Sequence, residues 1–278
     1  MLSELGTLYV VATPIGNLED ITLRGISILR SVDICAAEDT RNTKKLFSNK
    51  NISTKLISYH DHSSPKKIDK LIQFLTLGKS IALVSDAGTP CVSDPGYTLI
   101  KAALDFGIRV IPVPGVSSIT AILSVAGLPA DRFIFQGFVP RKGKKRTELL
   151  SDLKHNDLSS IFFESGLRII KLLEDINFID STRSLVLGRE LTKIHECLYR
   201  GTAEELIDLL SQDDYGQKGE FVLLVQGAEF IDGNTKDLSS EDLRVIEILS
   251  SRLSKKEALS LASEILRIKK NRLYKQLI

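Results

Sequence analysis

Short β-rich runs that alternate with amphipathic segments recur through the first third of the chain. This alternation leaves few folds open. Residues 6–12 (GTLYVVA) read as a strand, residues 22–32 place apolar side chains at helical spacing, and residues 33–37 read as a second strand. The pattern continues with a helix over 66–77, a strand over 80–84, a helix over 97–106 and a strand over 109–113. Such alternation folds as a mainly parallel sheet covered by helices, and ligands of such sheets gather outside the carboxyl ends of the strands.

The texture changes after Val113-Pro114-Gly115. Beyond a helix over 118–126, strands are expected at 132–138, 160–164, 184–188, 197–201 and 220–226, with fewer helices between them, as in a mixed or antiparallel α/β unit. Thr202 with Glu205, and Ser254 with Glu257, each spell a capping box. Three further helices are expected at 239–251, 255–266 and 269–277. The fold class is therefore α/β, with three parts: a parallel domain over 1–115 carrying ligand loops, a mixed domain over 116–228, and a basic helical extension over 229–278. A length of 278 residues suits two domains with that surplus.

No apolar run approaches the 18 or so residues of a membrane helix, and MLSELG lacks the basic start of a secretory signal, so a cytoplasmic protein is expected. Cys35, Cys91 and Cys197 form no CxxC pair and suit thiols in a reducing compartment. His60-Asp61-His62 reads as a polar loop, and no metal is expected.

A formal charge of +2 argues against a polyanion partner when the chain is taken whole. The distribution argues otherwise. Arg141, Lys142, Lys144, Lys145 and Arg146 put five positive charges into six residues, and residues 255–278, with Lys269, Lys270 and Arg272, carry a net +5. The rest of the chain then carries −8. One basic run alone reads as a solvated surface, but two on an acidic body favour a phosphate backbone.

Neither GxxxxGK[ST] nor GxGxxG occurs. Instead, the strand over 80–84 runs into Ser85-Asp86-Ala87-Gly88-Thr89-Pro90, where Asp86 is placed to face a ligand. Asp94-Pro95 reads as a helix N-cap followed by its first residue. Ser117 or Ser118 can cap the next helix, while Gly115 and free helix N–H groups suit a ligand's polar end. Thr13 to Asn17 and Glu38-Asp39-Thr40-Arg41 follow the first two strands and belong on the same sheet edge. Two carboxylates before an arginine at a strand end point to a ligand rather than to a surface turn.

LYVVATPIGNLEDIT (8–22), AAEDTR (36–41), SDAGTPCVSDPG (85–96) and GRELTK (188–193) together resemble the small-subunit ribosomal RNA methyltransferase I family, within the tetrapyrrole-methylase-like S-adenosylmethionine enzymes. The resemblance spans Gly6 to about Gln226, and KKNRLYKQL looks like the family's helical tail. It implies a two-domain tetrapyrrole-methylase-like fold. It also implies 2′-O-methylation of a cytidine in the decoding region of 16S rRNA, with S-adenosylmethionine as donor and a homodimer as the assembly. By the same resemblance, Pro14, Asp86, Gly88, Thr89, Pro114, Ser117, Ser118 and Thr120 surround the donor from the first domain and its junction, and Phe162, Glu164, Leu191 and Glu220 close it from the second. In FFESGLR (162–168), Gly166 and Leu167 stand where the family usually has Pro or Thr and then His, so no histidine role carries over.

Removing the proton of a ribose hydroxyl calls for a positioned base, and Glu38 and Asp39 are the candidates. One accepts the proton while the other fixes Arg41, which can also hold a substrate phosphate. The two basic runs supply RNA contacts. Two other readings stay open at this point: a small-molecule, precorrin-type tetrapyrrole methyltransferase with the same fold and donor, and a non-catalytic RNA-binding module.

Overall fold

The computed structural model describes residues 5–60, 63–213, 215–228, 240–266, 268 and 270–274. The first half builds β1 (Thr7–Val11), α1 (Leu23–Ser31), β2 (Ile34–Ala37), α2 (Thr40–Asn49), β3 (Lys55–Ser58), α3 (Pro65–Thr76), β4 (Ile81–Val84), α4 (Tyr97–Asp105) and β5 (Arg109–Val113). The five strands pair in parallel in the order β3-β2-β4-β1-β5. Every residue of β2 and β4 is buried, because helices cover both faces of the sheet. Leu8, Ile34 and Leu83 pack on one face, and Val11, Cys35 and Val84 on the other. The chain leaves β1 toward β2 but leaves β4 toward β5, so the connections after these neighbouring strands run in opposite directions past each other at the carboxyl edge of the sheet.

The sequence reading lacks α2 and β3. Helix α2 is polar and buries only Thr43, Leu46 and Phe47, too few to print a helical period, and β3 is a four-residue edge strand.

The second sheet follows α5 (Ser118–Ala126). It comprises β6 (Phe133–Phe138), α6 (Lys144–His155), β7 (Ser159–Ser165), α7 (Gly166–Ile179), β8 (Leu185–Arg189), β9 (Cys197–Gly201), α8 (Ala203–Gln212) and β10 (Glu220–Val225). Its order is β6-β7-β10-β8-β9, with β6 and β7 parallel and the other pairs antiparallel. The mixed sheet is as expected, but the expectation of few helices is not. Helix α6 begins inside the basic run, and α7 starts directly at the end of β7 with no side-chain cap, so neither start announces itself in the sequence. Together with α8 they cover a core of Phe162, Leu172, Leu187, Leu206 and Leu223. Helix α5 covers the opposite face through Ile122, against Ile161, Val186 and Leu224. The Thr202 capping box forms: the Thr202 N–H donates to Glu205 at 2.8 Å, and the Glu205 N–H donates to Thr202 Oγ1 at 3.4 Å.

Both sheets belong to one compact unit, residues 1–227, and residues 228–278 form a second. The second contains α9 (Ser240–Ser250), α10 (Lys255–Leu266) and α11 (Lys270–Tyr274), packed through Ile246, Leu259, Ala262 and Leu273. Ser254 and Glu257 cap α10, with Ser254 Oγ donating to Glu257 at 2.6 Å. Lys269 lies outside the described residues. No described helix is long and apolar enough to cross a membrane.

Candidate active site

The loops after β1 and β4 are tied together by backbone. The Thr13 N–H donates to the Gly88 carbonyl at 2.9 Å, the Gly88 N–H donates back at 3.0 Å, and Thr13 Oγ1 donates to the Ser85 carbonyl at 3.1 Å. Further along the second loop, Cys91 and Ser93 hold φ values of 72° and 63°, a left-handed conformation that side chains other than glycine enter at a cost. Helix α4 is capped by Gly96, not by Asp94. At φ 150°, Gly96 turns the chain where a Cβ would lie 2.5 Å from Cys91 Sγ, which leaves Pro95 outside the helix and Asp94 on a cavity wall.

That cavity is a cleft of about 310 Å³ between the strand-end loops of the two sheets. Of the residues expected at the donor, Gly88, Thr89, Ser117, Ser118, Glu164, Leu191 and Glu220 line it. Ser117 is the N-cap of α5 but makes no side-chain capping bond, so the first N–H groups of the helix retain anion-binding capacity beside the cavity. Phe162 is a correction. It is fully buried in the core beneath α7, and Phe163 lines the cavity instead, since successive strand residues face opposite ways. Phe163 also meets Phe135 and Phe138 edge-on, with ring centroids 4.8 and 5.7 Å apart. Pro114 is exposed outside the lining, and Thr120 Oγ1 turns back to the Ser117 carbonyl at 3.0 Å.

Glu164 is buried on the cavity wall. One carboxylate oxygen accepts the Ser165 N–H at 2.9 Å, and the other lies 2.9 Å from Arg168 Nη2 without hydrogen-bond geometry. The same Arg168 nitrogen donates to the Val139 carbonyl, next to cavity-lining Phe138. Lys193 bridges Glu190 and Glu220, at 2.9 Å each. Burial opposes the Glu190 charge, but the Glu220 N–H and the Lys193 ammonium outweigh it and hold the carboxyl below its usual range. Burial likewise opposes the Lys193 charge, and its two carboxylates outweigh it and raise the ammonium. Gly16 presses on this loop, where a Cβ would lie 2.4 Å from Lys193 Cγ.

A second recess, about 510 Å³, adjoins the cavity and shares Ile15, Ala87, Lys193 and Glu220 with it. Pro14 and Asp86, expected at the donor, line this recess with Asn42. Asp86 accepts the Asp39 N–H at 3.0 Å and Asn42 Nδ2 at 3.1 Å, while its own N–H donates to Glu38 Oε2 at 3.2 Å. Asp39 caps α2 by accepting the Arg41 N–H at 2.8 Å, and Arg41 Nη2 reaches it at 2.6 Å. The guanidinium and N–H of Arg41 pull the Asp39 carboxyl down to about 2. Neither Glu38 nor Asp39 lines the recess directly; both stand behind Asp86 at its edge.

The basic run divides. Arg141, Lys142, Lys144 and Lys145 are exposed, with Lys144 3.5 Å from Glu148. Arg146 is withdrawn from that surface: its Nε donates to Asp175 at 3.0 Å and its Nη1 to the Pro140 carbonyl at 3.0 Å. Lys270 and Arg272 lie on α11. The sequence reading missed Phe163, Asp94, Glu190 and Lys193 as wall residues. Strand alternation would have exchanged Phe162 for Phe163, and Glu190 and Lys193 stand in the GRELTK segment itself. Among the described residues, no group of three or more His, Cys, Asp or Glu side chains is placed to hold a metal.

The model of the family Tetrapyrrole (Corrin/Porphyrin) Methylases matches residues 7–207. Among solved structures, the chain is similar to diphthine synthase (TM-score 0.63, 16% identity, covering 80% of this chain and 90% of that one). It is also similar to a cobalt precorrin-4 methyltransferase (TM-score 0.58, 18% identity, 78% and 94%). At these identities the likeness concerns the fold. Two relatives named Ribosomal RNA small subunit methyltransferase I match at much higher identity. The one from Vibrio cholerae is 46% identical over 96% of this chain and 93% of its own length. The one from Escherichia coli O157:H7 is 44% identical over 97% and 94%. With its parallel sheet, its mixed sheet and the cavity at their strand-end loops, the chain belongs to the tetrapyrrole methylase family, among the ribosomal RNA small subunit methyltransferase I proteins.

Proposed function

We propose that this chain transfers a methyl group from S-adenosylmethionine to the ribose 2′-oxygen of a cytidine in the decoding region of 16S rRNA, acting on the small ribosomal subunit as a cytoplasmic homodimer. The observation that carries this reading is the joined pair of recesses, one walled by loops of both sheets and one edged by carboxylates, in a chain whose near-full-length relatives bear the rRNA methyltransferase name.

The residues present fit the donor. Its adenosyl part needs apolar walls, which Ile15, Val92, Phe163 and Leu191 provide. Its carboxylate suits the open N-terminus of α5 at Ser117 and Ser118, and its cationic groups suit the carboxylate-bearing wall of Asp94, Glu164 and Glu220. When bound, the donor supplies a methyl activated on a sulfonium. The chain's task is alignment, and the shared residues Ile15, Ala87, Lys193 and Glu220 set how the two recesses open onto each other. Glu38 takes the hydroxyl proton, and Asp86 positions it through the N–H that Glu38 accepts. The 1–115 domain thus brings the base and the 116–228 domain the far wall of the donor cavity. Arg141, Lys142, Lys144 and Lys145, with Lys269, Lys270 and Arg272 of the 229–278 extension, contact RNA phosphates.

Incubation of labelled donor with immature small subunits, free rRNA and a tetrapyrrole precursor tests the proposal. Label in the ribose of the subunit's rRNA is the expected result, and label only in the tetrapyrrole overturns it.

A further inference from the structure

Residues 40–55 carry Arg41, Lys44, Lys45, Lys50 and Lys55 with no acidic residue among them. This is a third basic stretch, on α2 and the edge strand β3. Beside it lies an open recess of about 1030 Å³. Leu18 and Leu56, with the edges of core residues Phe47 and Ile52, supply apolar surface, Thr40, Ser48, Asn49, Ser53 and Thr54 supply hydroxyl and amide groups, and Lys44 and Lys45 supply charge. Both lysines are exposed, and no carboxylate among the described residues lies within ion-pair distance of either. Leu18 and Lys45 also line the recess that Asp86 borders, so the two recesses form one continuous surface.

We infer that this recess binds a nucleotide flanking the methylated one, with Lys44 and Lys45 on the RNA phosphates. Single-stranded RNA is held by a basic track that follows the backbone beside surfaces that accept splayed bases, and this recess joins both features to the carboxylate edge. A protein partner would leave the unpaired lysines without a counter-charge unless it were acidic. A small-molecule acceptor would need no second recess along α2. The inference rests on the RNA reading above and adds to it where the strand runs: from Asp86 over the first turns of α2 toward β3.

The test uses the full chain and small ribosomal subunits from cells that lack the protein. The variants are Lys44→Glu/Lys45→Glu and the charge-keeping Lys44→Arg/Lys45→Arg. Subunit affinity as a function of salt, donor affinity by calorimetry and methyl transfer are measured separately. The Glu pair should weaken subunit binding on the order of tenfold and lower the salt slope by about 1.4, two phosphates at roughly 0.7 each, with donor affinity unchanged. The Arg pair should bind like the wild type, and crosslinked RNA should map to residues 44–54. Methyl transfer to subunits with unchanged affinity in the Glu pair overturns the recess and leaves the catalytic reading standing. Lysine-dependent binding without any methyl transfer supports the recess and overturns the catalytic reading.

Discussion

Glu38 and Asp86 are cross-bonded: Glu38 Oε2 accepts the Asp86 N–H at 3.2 Å, while Asp86 Oδ1 accepts the N–H of Asp39, the residue after Glu38, at 3.0 Å. The parallel register of β2 and β4, Ala37 opposite Val84, brings these residues level. The two backbone N–H groups, with Asn42 Nδ2 on the other Asp86 oxygen, fix the orientation of both carboxylates.

Glu38→Gln keeps an oxygen for the Asp86 N–H and removes the base. Turnover should fall by about 10²- to 10⁴-fold with donor affinity unchanged. Single-turnover methyl transfer beside calorimetry of donor binding checks this, and retained turnover excludes Glu38 as the base.

The Asp39 carboxyl should titrate at about 2 in the folded protein, against the usual 3.8, by carbon-detected NMR. Because the folded value is the lower one, its stabilisation is complete above the usual value and is lost as the pH falls toward 2. Arg41→Ala should return the midpoint toward 3.8, since Arg41 is the main cause of the shift.

Arg168→Met leaves Glu164 as an unpaired buried carboxylate and releases the Val139 carbonyl. Denaturant unfolding should show a loss of about 3 kcal/mol, and adding Glu164→Gln should recover much of it. Weak donor binding in the doubly substituted protein would then report the role of Glu164 at the cavity apart from its role in stability.

Arg146→Gln should cost stability, about 2 kcal/mol through the Asp175 contact, with little change in RNA affinity. Gln at Arg141, Lys142, Lys144 and Lys145 together should do the reverse, flattening the salt dependence of RNA binding at unchanged stability.

Gly16→Ala places a Cβ 2.4 Å from Lys193 Cγ, 2.8 Å from Thr192 Oγ1 and 3.1 Å from the Leu191 carbonyl oxygen. Relieving that contact moves a loop that lines the donor cavity, and donor affinity should fall roughly tenfold. Unchanged affinity would show that the cavity does not depend on this contact.

The parallel half of the fold was legible because its central strands are short and wholly apolar between polar flanks, and the capping boxes at Thr202 and Ser254 announced their helices. Helix α2 was not legible because it is polar and buries only three side chains, and α6 because it begins inside the basic run; α7 does set Ile169, Leu172, Leu173 and Ile176 at helical spacing, and only its start, uncapped and continuous with β7, is hidden.

For the site, the sequence by itself determined which loops to look at: Thr13 to Gly16, Ser85 to Asp94 and the segment around Glu190 to Lys193 supply lining residues to the two recesses, while Glu38 and Asp39 stand behind Asp86. Only the tertiary structure decided what each residue in them does. Phe162 and Phe163 are neighbours separated by the pleat of one strand, Arg146 is drawn from a basic run to Asp175, and Asp39 caps α2 while Glu38 beside it accepts the Asp86 N–H. Composition and spacing count residue types along a line. Role depends on which donor lies within about 3 Å in space, and that is set by strand register and by which face of the sheet a helix covers.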